Sequence, residues 1–402
     1  MTDKPRNPFL PGQPATVDLF VGRRSQIDRL LQRGARQTSF GKPTCFFIEG
    51  EYGIGKSSLA NYCMLAAENE YGLLGVTASM AGQSDVDQAA EVVLKALIQA
   101  TARDKSLWRR VSESLGKYVK DVHLFGVDLD LSAVRQAAPQ FADVGGFLDT
   151  LRNVLHHVQP KSGSKAGVFL VLDEINGIAA NPQFAHFLKG IVDRNALADS
   201  PVPMCLVLCG TPERRRELIA SHEPVGRIFD VIDVPHLSGV ESEHFFQIAF
   251  ESVGMTLDPS ALGQLAFFGY GQPRILHMLG DQAFWLDTDG RIDDQDVAKA
   301  VVAAAEDFTT KYIGPQILKE LRSPDYRSIL KKISSQNPTT PSFKRAAVAG
   351  GLEAGELKKL DNFLQRMKDL NVIRSGDDKG EWVFNTPMVR TAMFLMAQAP
   401  QS

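Results

Sequence analysis

Residues 46–60 read FFIEGEYGIGKSSLA, and within them Gly50, Gly55, Lys56 and Ser57 stand at the spacing GxxxxGK(S/T). An apolar run, Cys45 to Ile48, leads in, and a helical pattern through Leu59, Ala60, Tyr62, Cys63 and Met64 leads out. This is the context in which such spacing forms a phosphate-binding loop between a strand and a helix. The glycines let the backbone curl so that successive N–H groups face an anion, and the following helix points its positive end at the same place. The loop residues Gly50, Glu51, Tyr52, Gly53, Ile54, Gly55, Lys56, Ser57 and Ser58 are therefore expected to cradle a nucleotide. Lys56 would reach the β- and γ-phosphates and Ser57 would ligate Mg²⁺.

A second stretch completes the chemistry. Val168 to Glu174, VFLVLDE, is a continuous apolar run ending in two acids. A parallel strand buried on both faces looks like this, and its C-terminal edge is where open α/β sheets hold ligands. Asp173 is read as the second Mg²⁺ contact and Glu174 as the base that orients and deprotonates the attacking water.

Composition is compatible with that reading. The 402 residues are 44% hydrophobic and 23% charged, enough for a real core and two or three domains. The net charge of −3 is unevenly spread: residues 311–402 hold 15 Lys+Arg against 9 Asp+Glu, so +6, leaving −9 for the rest. A basic tail hints at an anionic partner. The four cysteines, Cys45, Cys63, Cys205 and Cys209, lie in or beside apolar runs without metal-site spacing and read as reduced packing residues. The N-terminal residues lack an apolar signal core, and no run reaches the length of a membrane span, so a cytoplasmic protein with no membrane partner is expected.

Between the two motifs, Gly72–Ser79 reads as a strand and Gln83–Ala102 as an amphipathic helix. The segment 104–138 fits a nucleotide-binding core less easily. Its phrase VHLFGVDLDL alternates Val127, Leu129 and Leu131 with Asp128 and Asp130, a half-exposed hairpin whose acids are read as solvated rather than metal-binding. Gly146–Val158 is again helical, and its adjacent His156 and His157 point about 100° apart and cannot share a metal. A further strand, Met204–Cys209, ends in Gly210-Thr211-Pro212, and a fifth spans Phe229–Val234. Consecutive helices fill Glu241–Phe308.

From Pro324 the pattern changes. Helices at Tyr326–Ile333, Ser342–Val348 and Glu353–Leu370 precede two short strands, Val372–Arg374 and Trp382–Phe384, around the turn Gly376–Gly380. Three helices and a β-ribbon are winged-helix order. Lys344, Arg345, Lys358, Lys359, Arg366, Arg374 and Lys379 fall where such a domain meets duplex DNA phosphates, although two acids occupy the wing tip and such domains also dock proteins.

The phrase FVGRRSQIDRLL, residues 20–31, together with the motifs above resembles AAA+ ATPases of the Orc1/Cdc6-like group. The resemblance covers the whole chain and implies a five-stranded parallel α/β P-loop core with helices on both faces, a helical lid and a C-terminal winged helix. It places Phe20, Val21 and Gly22 at the adenine, makes Thr211 the sensor at the fourth core strand, and puts a trans-acting arginine finger at Arg227, with Arg214, Arg215 and Arg216 as competitors. In the phrase Gly271-Gln272-Pro273-Arg274 it makes Arg274 the lid residue that contacts the γ-phosphate. Expected boundaries are an extended arm over 1–17, the core over 18–236, the lid over 237–310 and the winged helix over 311–402.

What the resemblance implies is an ATP- and Mg²⁺-dependent ATPase that forms homo-oligomers in the ATP state and engages duplex DNA through the winged helix. The 104–138 insertion departs from a simple initiator and is a candidate protein-docking segment. The neighbouring STAND signalling ATPases, which place GxP at the lid without relying on the arginine, supply the alternative: a nucleotide-gated switch acting on protein partners, in bacterial defence for example.

Overall fold

Apolar runs of five or six residues bounded by glycine or proline give the central strands their length. Alternation within them sends one side chain to each face. The structure, a computed structural model, describes residues 4–12, 19–123, 126–161, 163–164, 166–312, 315–335, 342–370 and 372–398. Residues 1–3 and 13–17 of the expected arm lie outside these. The described chain divides into two units, one of residues 22–235 and one of residues 4–12, 19–21 and 236 onward.

The first unit contains, in order, α1 (Arg24–Arg29), α2 (Arg36–Ser39), β1 (Thr44–Glu49), α3 (Lys56–Ala66), β2 (Leu74–Ser79), α4 (Val86–Ala102) and α5 (Lys105–Leu115). A hairpin of β3 (Val119–His123) and β4 (Gly126–Leu129) follows, then α6 (Leu131–Ala142), α7 (Val144–Leu155), β5 (Val168–Asp173), α8 (Pro182–Ala196), β6 (Met204–Gly210), α9 (Pro212–Ser221) and β7 (Asp230–Asp233). The five strands β2, β5, β6, β1 and β7 lie side by side in that order, and every neighbouring pair is parallel. This is the sheet expected from the sequence.

Phe47, Val76, Leu170, Leu172, Leu206 and Leu208 line one face of the sheet and join a core with α4, α7 and α8. The 104–138 segment is part of that core rather than an appendage. Leu107, Val111 and Leu115 of α5 and Val134, Ala138 and Phe141 of α6 are all buried in it. The hairpin forms as expected, but Leu131 is not in it. Asp130 ends the strand instead by capping α6, its Oδ1 accepting from the N–H groups of Ser132 at 3.0 Å and Ala133 at 3.1 Å. Asp130 is therefore a helix cap, not part of a solvated strand face.

The second unit contains α10 (Gly239–Glu251), β8 (Thr256–Leu257), α11 (Pro259–Gly269), α12 (Pro273–Leu286), β9 (Arg291–Ile292), α13 (Asp294–Tyr312), α14 (Pro315–Glu320) and α15 (Pro324–Ser335). It continues with β10 (Ser342–Lys344), α16 (Arg345–Ala349), α17 (Ala354–Asp369), β11 (Ile373–Ser375), β12 (Glu381–Phe384) and α18 (Pro387–Gln398). From α15 to β12 this is winged-helix order, with β10, β12 and β11 forming an antiparallel sheet. Ser342–Lys344, expected as the start of a helix, is instead the strand that pairs with β12, and the helix begins only at Arg345. The closing helix α18 packs back on α13 and α15, so the segments expected as lid and as winged helix share one hydrophobic core.

Residues 4–12 are tied to the same unit. Phe9 is buried against Phe250 at 4.9 Å and Phe245 at 6.0 Å between ring centroids. It reaches that depth because α12 carries Gly280, where a Cβ would stand 2.2 Å from the Phe9 ring. Burying such a ring contributes about 2 kcal/mol, and Asn7 adds a 2.6 Å hydrogen bond to Asp281.

Candidate functional site

The turn after β1 is shaped by glycines in the left-handed region, Gly53 at φ 79° and Gly55 at φ 99°, a conformation L side chains resist. Gly50 is required for a different reason, since a Cβ there would lie 3.0 Å from both Ile54 Cγ2 and the Val234 carbonyl oxygen. Lys56 begins α3, and its ammonium donates back to the carbonyls of Gly50 at 2.9 Å and Glu51 at 2.7 Å. Burial lowers its pKa below the usual lysine value, while Cys209, Asp173, Glu174 and Glu51 pull the other way. Ser57 and Ser58 follow in the first turn of α3, and Tyr52 on the loop is exposed.

Asp173 ends β5 at the same sheet edge. Ser79 pairs with Asp173, Leu172 with Leu208, and Ile48 with both Cys209 and Ile232. One row of residues thus crosses the whole sheet: Ser79, Asp173, Cys209, Ile48 and Ile232. β6 lies between the strand carrying the acids and the strand feeding the loop. Glu174, next in sequence, sits at φ 55°, one of three non-glycine residues with positive φ among the described residues. Its N–H donates to Asp173 Oδ1 at 3.0 Å, and the turn is closed by Asn176 N–H on the Glu174 carbonyl at 2.6 Å. A non-glycine residue held left-handed costs roughly 1–2 kcal/mol, and such positions gather at functional sites.

Thr211 follows β6 and caps α9 by accepting the Arg214 N–H at 3.5 Å. The four candidate finger arginines separate cleanly. Arg214 pairs with Glu217 at 2.7 Å, Arg216 with Glu213 at 2.8 Å, and Arg215 with Glu49 at 2.6 Å. Arg227, in the short helical turn Glu223–Arg227, has 82% of its side chain exposed and only a 3.6 Å approach to Glu223. It is the one of the four that solvent reaches most freely.

The remaining expected residues belong to the second unit. Arg274 opens α12 just after Pro273, on a turn that Leu237 fastens through its N–H to the Gly271 carbonyl at 2.8 Å. Val21 is buried in that unit's core, and Phe20 beside it is half-buried. Among the seven basic residues of the winged helix, four already hold carboxylates. Arg345 grips Asp361 with two bonds of 2.6 and 2.7 Å, Arg366 reaches Glu320 at 3.0 Å, Lys344 reaches Asp378 at 3.5 Å, and Lys359 bonds Asp325. Lys358, Arg374 and Lys379 make no ion pair among the described residues.

Two supports of the loop escaped sequence reasoning. Arg23 is buried at 6% exposure with φ 62°, and its guanidinium donates to the Ile54 carbonyl at 3.0 Å and to the Pro235 carbonyl, bracing the loop against the end of the sheet. Its signal was an arginine inside an otherwise small and apolar phrase, Val21-Gly22-Arg23, read for base contact alone. Glu49, bonded by Arg215, ties α9 to the strand that enters the loop.

A glycine loop between strand and helix, with an Asp-Glu pair ending a strand one removed, defines a P-loop nucleotide-binding ATPase fold. Residues 19–207 match the family model described as an AAA ATPase domain. Two solved structures similar over almost the full length give the same architecture. The Walker-type ATPase paby2304 of Pyrococcus abyssi is 15% identical with a TM-score of 0.55, covering 95% of this chain and 98% of that one. The ORC2 protein of Aeropyrum pernix, solved as ADPNP-ADP complexes, is 12% identical with a TM-score of 0.59, covering 97% and 96%. The fold is thus the one that these two structures share. No curated protein matches the chain in sequence. No helix among the described residues is long and apolar enough to cross a membrane.

Proposed function

We propose that this chain is a Mg²⁺-dependent, cytoplasmic ATPase whose nucleotide state governs its self-assembly and its hold on duplex DNA. The observation that carries the reading is the single sheet edge from which the Lys56 loop leaves β1 and the Asp173–Glu174 turn leaves β5, with β6 alone between them. Lys56 rests on two neutral carbonyls, which a triphosphate can replace at little cost. Ser57 and Asp173 are the residues that would hold Mg²⁺, whose part is to neutralise charge on the phosphates. Glu174, half-buried on its strained turn, takes the proton of the attacking water. Thr211 orients groups near the γ-phosphate from the end of β6, and Arg274 acts from the lid.

Arg227, exposed on its turn, serves a neighbouring subunit, so turnover rises with assembly. Such an arginine is worth on the order of 10³ or more in rate in related phosphoryl-transfer systems. For DNA, the support is the winged-helix order together with three cations, Lys358, Arg374 and Lys379, that no carboxylate neutralises among the described residues. The test is steady-state ATP hydrolysis over a range of protein concentration, with and without duplex DNA at about 0.15 M salt. Specific activity should rise with concentration and with DNA. The DNA response should be lost when Lys358, Arg374 and Lys379 are replaced by alanine. Hydrolysis indifferent to DNA, with nucleotide still tightly bound, overturns the DNA reading in favour of a switch acting on a protein partner.

A further inference from the structure

One basic stretch lies outside both the nucleotide site and the winged helix. Residues 24–42 hold five Lys+Arg against one acid, Asp28, a surplus of four within residues 1–310, whose total is −9. They begin as one continuous helix, since α1 runs on through a π-helical stretch, Leu30–Ala35, into α2. Such π-helical turns are frequent at functional sites.

The two sides of this helix differ. Leu30, Leu31, Gly34, Ala35, Thr38 and Ser39 are buried, and a Cβ at Gly34 would stand 3.0 Å from the Phe46 ring and 3.1 Å from the Cys205 sulfur. The helix is therefore pressed onto the sheet and cannot recede. Its outer side carries, at helical spacing, Arg29, Gln32, Arg33, Arg36 and Phe40, and Lys42 follows the turn that Gly41 makes at φ 92°.

What neutralises these cations decides what the face can do. Arg29 is committed to Asp230, its Nε donating at 3.2 Å. Arg36 instead donates to Gln32 Oε1 at 3.0 Å and lies over the Phe40 ring at 5.9 Å, and both partners are neutral. Arg33 and Lys42 are exposed, and neither they nor Arg36 make an ion pair among the described residues. Of the acids close by in the chain or on the turn packed against the helix, Glu68 accepts the Gly75 N–H at 3.1 Å, while Asp28 and Glu70 are exposed and pair with none of the three. A small anion gains little from exposed cations that salt screens one by one. A polyanion that meets all three at once displaces no carboxylate and releases a counterion for each phosphate neutralised. Phe40, 55% exposed among them, adds the flat apolar surface on which bases and sugars rest and for which an acidic peptide has no need.

We propose that the outer face of this helix, through Arg33, Arg36 and Lys42, binds the phosphate backbone of nucleic acid. The inference goes beyond the winged-helix reading and does not depend on it. It assigns these three residues no contact with ATP.

The experiment is fluorescence anisotropy of a labelled duplex and of a labelled single strand of equal length, with the full chain, over a range of salt. The proteins are the wild type, the triple variant Arg33→Gln, Arg36→Gln, Lys42→Gln, the double variant Arg33→Lys, Arg36→Lys, and a second triple with Lys358, Arg374 and Lys379 replaced by alanine. At about 0.15 M salt the glutamine triple should bind the form that the wild type prefers about tenfold more weakly, and the slope of log affinity against log salt should fall by about two to three. The lysine double keeps the charge and should hold that slope to within about one contact. Hydrolysis of ATP without nucleic acid should be unchanged in the glutamine triple, which separates a lost contact from a lost fold. Affinity and slope unchanged in the glutamine triple overturn the proposal. So does a glutamine triple that binds nucleic acid normally but whose hydrolysis no longer rises with protein concentration, because the face would then be a contact between copies. Weakening in the glutamine triple with the alanine triple binding as wild type supports this face and overturns the winged-helix reading. Weakening in the alanine triple alone does the reverse, and a wild type that binds neither probe overturns both.

Discussion

Lys56 at the nucleotide loop and the cations of the winged helix are both candidates to meet phosphate, yet they are neutralised differently. Lys56 leans on two carbonyl dipoles at 2.9 and 2.7 Å. Arg345, Lys359, Arg366 and Lys344 lean on formal negative charges. A phosphate entering the loop displaces neutral groups that water or the backbone can satisfy again. A phosphate arriving at the winged helix must compete with carboxylates for four of seven cations. Exposed pairs of this kind are individually weak, so the competition can be won, but each one lowers the net charge that DNA meets. Occupied loops and charged surfaces therefore call for different evidence: geometry for the first, the identity of neighbours for the second.

Acid separates the two units most strongly. His277 on α12 is 3% exposed among Phe9 and Phe245, its Nδ1 accepts the Leu10 N–H at 3.2 Å, and burial pulls its pKa down to about 4. Between pH about 6.5 and about 4 the unfolded chain binds a proton that the folded unit refuses. The stabilisation is thus complete above the unfolded value and lost as pH falls, by about 3 kcal/mol in all. Unfolding followed by fluorescence or hydrogen exchange should show the lid and winged-helix unit weakening over that window ahead of the nucleotide unit. A His277→Leu variant should flatten the slope. An unchanged slope in that variant would place the acid sensitivity elsewhere and dissolve this contrast between the units.

A smaller effect sharpens the comparison at the proposed DNA face. Asp361→Asn removes the acid that both neutralises Arg345 and holds its fork. Duplex affinity at fixed salt should rise by about twofold to fivefold, and the salt dependence should steepen by roughly one phosphate contact. An affinity that does not move would mean that Arg345 faces away from the duplex.

How much of this was legible in the sequence follows the same division. The loop could be read because its demands are local: two glycines where a side chain resists the turn, a lysine and a serine at the helix start, an apolar strand before them. That Asp173 ends a central strand, with Glu174 next, was legible because a continuous apolar run ending in acids reads as a buried parallel strand that delivers them at its C-terminal edge. The five-stranded parallel sheet followed from those runs, as it does in the Orc-type fold. What was not legible depends on residues far apart in the chain. Arg23 meets the Pro235 carbonyl, Arg215 meets Glu49, and Arg366 meets Glu320, none within a helical turn of its partner. Ser342–Lys344 is too short for alternation to register and becomes a strand only because β12 lies beside it. Asp130 looked like one more alternating acid because a cap and a strand residue differ only in what comes next.

The central claim is that the sheet edge hydrolyses ATP with Glu174 as the base. Its most direct measurement is ATP binding and single-turnover hydrolysis by the wild type and Glu174→Gln at equal protein concentration. The account predicts that the variant binds ATP within about threefold of the wild type, since the side chain keeps its size and the loop is untouched, while turnover falls by about 10² or more. Normal turnover in the variant would contradict it, because the proton of the attacking water would then be leaving by another route.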